Sequence, residues 1–202
     1  MNNLKKFLVS IMVISSVCAC SMIGGGSKEA TELLKRYYSA SINVVQAQTE
    51  MNEVFKIKDD SDAIRKGLEA GNIDPSEVNK YVERTNKILE DKMQNAKLDA
   101  EEKVKVAHAL GKYGKGVLNT VQLGKAANDF VKTVNKAKGA QKAQMLAGDG
   151  QTAFTVATGL PSFSKNLITT GNKFVKYANY QGVDTSEIKK SLSEAVSFDP
   201  NK

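Results

Sequence analysis

Residues 28–57, KEATELLKRYYSASINVVQAQTEMNEVFKI, carry Leu33, Leu34, Tyr37, Tyr38, Ser41, Val44, Val45, Gln48, Met51 and Phe55 at steps that add up to threes and fours. On a helix those positions fall on one stripe. Neither Gly nor Pro interrupts the stretch, so it predicts one helix of roughly 45 Å, at about 1.5 Å per residue. A stripe of that length must be covered by other elements. The Tyr37-Tyr38 pair reads as core plus rim in preference to a platform for a stacked ligand.

Downstream, the chain supplies the cover as further helices. Lys58-Asp59-Asp60-Ser61 breaks the first pattern, and a short helix is expected over 62–70, stopped by Gly71 in the left-handed conformation that glycine tolerates. Ile73-Asp74-Pro75-Ser76-Glu77-Val78 then holds a cap, a first-turn proline, a capping-box glutamate and a hydrophobic staple in order. Val183-Asp184-Thr185-Ser186-Glu187-Ile188 repeats the device, and Leu98-Asp99-Ala100-Glu101-Glu102 does so in part. These signals start helices predicted over 75–96, from 99 onward, and over 185–196. Their intervals are unequal, which argues against a solenoid.

The helix from 99 is expected to reach 137. Val106, Leu110, Tyr113, Val117, Val121, Gly124, Ala127, Val131 and Val134 average about 3.5 residues per step, a period that favours shallow, coiled-coil-like packing. Gly111, Gly114, Gly116 and Gly124 interrupt it, each at about 1 kcal/mol against Ala. Close helix approach, a kink near Gly114 or a break there would each offset that; close approach is favoured. From 138 to 160 the composition turns to Ala, Gly, Gln and Thr, with a turn expected at Gly148-Asp149-Gly150. Pro161-Ser162 is expected to open a helix over 162–180 with Phe163, Leu167, Ile168, Gly171, Phe174, Val175 and Ala178 inward, ended by Gly182. The fold class that results is all-α: an elongated antiparallel bundle of about five to seven helices in a single domain, 28–202.

Upstream, Lys5 and Lys6 precede the apolar run FLVSIMVISSV, residues 7–17. The run matches a secretory leader in length and falls short of the roughly 20 residues that span a bilayer. Val17-Cys18-Ala19-Cys20 follows at once. This order of charged start, short apolar core and aliphatic-x-small-Cys resembles the lipobox of bacterial lipoproteins, with Cys18 an unusual occupant of the variable place. The resemblance implies removal of residues 1–19 and acylation of Cys20. It also implies, through Ser21, sorting to the outer membrane. Residues 20–27 then form an acylated tether, with Gly24-Gly25-Gly26-Ser27 flexible. Several acyl chains, at about 0.8 kcal/mol per buried methylene, hold a protein durably at a bilayer. Both cysteines of the chain lie in this segment, so the fold rests on packing without disulfides.

The net charge of +7 falls to +5 when Lys5 and Lys6 leave, and the excess reads as scattered. It permits attraction to anionic headgroups or other acidic envelope polymers, but no basic cluster interleaved with aromatics points to nucleic acid. His108 is the one histidine and no thiol is left once Cys20 is acylated, so Cys-His pairs and zinc sites built on several His or Cys are not expected; His108 reads as a packed or rim residue. The acidic run at 59–62 lacks the glycine and terminal glutamate of a calcium loop. Gly111 to Gly116 has the outer spacing of a phosphate loop, but Val117-Leu118 stands where Lys and Ser/Thr belong. Glu101-Glu102 is accounted for by the helix dipole. No cofactor, metal or catalytic residue is therefore expected.

The leading expectation is a lipid-anchored, non-enzymatic envelope protein that binds, scaffolds or adapts a protein partner. Two others stand beside it: a membrane-active protein using the segment 144–164 as an insertable hairpin, and a carrier of a small apolar ligand between glycine-lined helices.

Overall fold

The first stripe folds as its spacing requires. In the computed structural model, which describes residues 27–199, α1 spans Lys28–Val54, capped by Ser27, whose Oγ accepts the Ala30 N–H at 3.2 Å. It ends three residues before Ile57 because Lys56 turns into the left-handed region at φ 54° and the Ile57 N–H closes back on the Asn52 carbonyl at 2.8 Å. The proposed leader, Cys20 and most of the tether lie outside the described residues.

Seven more helices follow: α2 (Ser61–Ala70), α3 (Pro75–Asn95), α4 (Ala100–Gln122), α5 (Gly124–Lys136), α6 (Gly139–Met145), α7 (Asp149–Tyr180) and α8 (Ser186–Ser197). The all-α expectation holds: no strand forms among the described residues. The short α6 buries no side chain, so the core is the work of the other seven. Its members run from Ala30 to Ala195 and include Tyr37, Met51, Leu89, Tyr113, Leu167 and Phe174. Each large apolar side chain so buried contributes about 1.5–3 kcal/mol. Among the described residues this core is closed within 28–198.

Directions are mixed. Glu50 meets His108, while Gly116 lies against Val44 and Ala40, so α1 and α4 run antiparallel. By the same logic α3 and α7 run together, since Glu83 accepts from Asn166 at 3.2 Å and Glu90 from Lys173 at 2.8 Å. The α4–α8 pair is also parallel, with Gly111 beside Glu187 and Gly114 beside Ser191. α8 returns antiparallel along α7, where Leu192 packs on Gly171.

The glycines of α4 serve close approach. A Cβ on Gly116 would lie 2.6 Å from Val44 Cγ2, and one on Gly114 3.1 Å from the Ile188 Cα. The helix runs through Gly114 without a break. The helix breaks instead at Leu123, buried between α4 and α5, so the expected single helix over 99–137 is two. The expected start at Pro161 is also corrected: α7 begins at Asp149 and carries Pro161 inside it. The buried positions Ala153, Val156, Ala157 and Leu160 explain why, because their stripe continues without phase change into Phe163 and Leu167 and their burial outweighs the proline's cost.

Candidate functional site

α5 and α7 leave a groove between them. Leu123 keeps helical angles, φ −70° and ψ −18°, but its N–H bonds to the Thr120 carbonyl at 3.2 Å, a tighter step that redirects the chain into α5. α5 then turns Ala127, Phe130 and Val134 into the core. Its neighbouring stripe, Gly124, Asn128 and Val131, joined by Val121 from the end of α4, faces α7 across the gap. There the wall is Ala157, Thr158, Leu160, Pro161 and Ser164, and Phe198 closes one side from beyond α8. The groove encloses about 490 Å³ and is open to solvent along one side.

Its surface is mostly hydrocarbon. The Thr158 hydroxyl is spent on its own helix, donating to the Phe154 carbonyl at 2.9 Å. Pro161 has no N–H to return to the Ala157 carbonyl, which places an acceptor beside the groove. The small residues Gly124, Ala127, Ala157 and Ser164 leave the space that larger side chains would fill. An apolar, concave surface with a few polar atoms is the general form of a binding site, and no acid-base or nucleophilic pair lines it.

Residues singled out in the sequence lie elsewhere and apart. His108 is exposed, with Nδ1 3.0 Å from Glu50 Oε2, and Lys112 pairs with the other oxygen of the same carboxylate. Tyr37 is core: its hydroxyl donates to Asn79 Oδ1 at 2.8 Å, its ring meets that of Phe163, and burial pushes its phenol well above the usual value. Tyr38 is buried at the rim and donates to the Ile73 carbonyl at 3.1 Å. The acids of 59–62 are divided among partners. Asp59 accepts from Tyr81 at 2.7 Å and from Asn52, Asp60 lies 3.6 Å from Arg84, and Asp62 lies 3.4 Å from Arg65. Glu102 completes a capping box with Asp99, and Glu101 pairs with Lys105 at 2.6 Å. Among the described residues no group of acids and histidine could hold a metal ion.

The segment 144–164, read as an insertable hairpin, is divided between the end of α6 and the first half of α7, where Ala153, Val156, Ala157 and Leu160 are buried. Among the described residues no helix is long and apolar enough to cross a membrane. Two features went unread in the sequence. One is the groove, which depends on the break at Leu123. The other is a polar chain through the core, in which Gln48 donates to Asn86 at 2.8 Å and Asn86 to the Tyr113 hydroxyl at 3.1 Å. No family model, curated protein or solved structure matches the chain.

Proposed function

We propose that this chain is a lipid-anchored envelope protein of the bacterial outer membrane, held by acyl chains on Cys20, that binds a partner protein without catalysis. The observation that supports the reading best is the α5–α7 groove, apolar, open along one side and lined without reactive groups. An amphipathic segment of an envelope protein suits it, because small residues on both walls admit side chains spaced along one helical face.

A photo-crosslinking residue at Val131 in the envelope-bound protein tests this. The expected result is one discrete adduct, lost in an Ala157→Arg background and absent when the same residue is placed at Lys87 on the exposed face of α3. Equal adducts at both places would reject the groove as the site. A second reading, carriage of a small apolar ligand, is favoured by the volume of about 490 Å³, within the range of small-molecule sites. Native mass spectrometry of the gently purified domain separates the two, since a carrier retains a bound small molecule and an adaptor does not.

A further inference from the structure

The charge of the chain is not scattered. Residues 28–123 balance, with sixteen basic and sixteen acidic side chains, whereas 124–148 hold five lysines against Asp129 alone, or +4. That segment is α5, α6 and the turn into α7. Lys132, Lys136 and Lys138 are exposed and Lys142 half-buried, and none of these four takes part in the ion pairs found among the described residues.

Position gives the patch a meaning. α4 ends level with Arg36 and Ser39 of α1, which share a cleft with Asn119 and Gln122. Beyond it, α6 packs its Met145 carbonyl against Gly150, and Thr31 in the first turn of α1 reaches Asp149 at 3.4 Å. The basic segment therefore sits at the end of the bundle where α1 starts. Six residues lie between Cys20 and Ser27, a reach over the seven steps of at most about 25 Å at roughly 3.5 Å per residue.

We infer that the α5–α6 lysine face is a second membrane contact, docking the tether end of the bundle on anionic lipid headgroups. Rigid placement beside the tether favours a lipid surface over a distant acidic protein; this part of the inference rests on acylation of Cys20. A face that lies on the bilayer fixes the orientation of the bundle and sets the α5–α7 groove close to the headgroups. Its attraction is electrostatic and reaches about a Debye length.

The test uses residues 21–202, unacylated, so that failure here and failure of the anchor are told apart. Co-sedimentation is measured with vesicles of phosphatidylglycerol mixed with phosphatidylcholine and with phosphatidylcholine alone. Binding is expected only to the anionic vesicles, and raising salt from about 0.1 to about 1 M, which shortens screening from about 10 to 3 Å, should release it. Joint Lys132→Gln, Lys136→Gln, Lys138→Gln and Lys142→Gln should weaken it by about a hundredfold or more, at roughly fivefold per lysine. The matched set Lys80→Gln, Lys87→Gln, Lys92→Gln and Lys97→Gln, which removes the same charge from α3 and the loop after it, should change it by less than about fivefold. Equal losses from both sets, equal binding to both vesicles, or competition by soluble polyphosphate as strong as the vesicles themselves would each overturn the proposal.

Discussion

Two glycines in long helices predict opposite outcomes for the same substitution. At Gly116 a methyl group would meet Val44 Cγ2 at 2.6 Å and the Val44 backbone nitrogen at 3.0 Å. Gly116→Ala should therefore destabilise by about 1–3 kcal/mol, overpacking outweighing the gain in helix propensity. At Gly159, inside α7, a Cβ meets nothing within 4 Å. Gly159→Ala should stabilise by about 0.5–1 kcal/mol, and urea midpoints of the two variants read the difference directly. Tyr113→Phe leaves the Asn86 amide without its buried acceptor and should cost about 1–3 kcal/mol, although the ring still packs on Phe174 at 5.2 Å. Close approach at the α4 glycines was legible because their cost demands a reason. The Gln48–Asn86 contact was not, since a glutamine on an apolar stripe carries no mark of a partner 38 residues away.

Elements were legible where caps and stripes agreed. Asp74 caps α3 through the Ser76 N–H at 2.7 Å, and the box at Asp99 is complete; both starts could be placed from local residues alone. Two boundaries failed for one reason, that tertiary burial overrode a local signal. Pro161 reads as a start, yet the core takes Leu160 on one side of it and Phe163 on the other, so α7 runs through. Leu123 reads as helix interior, yet the chain changes direction there. The groove formed by these two departures was accordingly invisible in the sequence. Since Pro161 is exposed, Pro161→Ala should forfeit little packing and raise stability by about 1–3 kcal/mol; thermal unfolding followed by circular dichroism measures it, and an unchanged or lower midpoint would mean that the proline relieves a strain within α7.

At the scale of the molecule, alkaline pH should loosen the bundle. Burial holds the Tyr37 and Tyr113 phenols well above their ordinary value. The unfolded chain ionises them near pH 10 and the folded one does not, so their contribution is fully present below that pH and is lost as pH rises further. Each should take away about 1.4 kcal/mol per pH unit once the unfolded phenol is ionised, visible as falling urea midpoints between about pH 10 and 11.5. Net charge was legible as a total, but its concentration on α5 and α6 gained a meaning only when Thr31 and Asp149 placed those helices at the end of the bundle where α1 starts. The whole account of residence and task turns on Cys20. Intact-mass spectrometry of the protein extracted from its native membrane tests it most directly. The account predicts a chain that begins at Cys20 and carries acyl chains; a chain that keeps residues 1–19, or that has an unmodified thiol at Cys20, would contradict it.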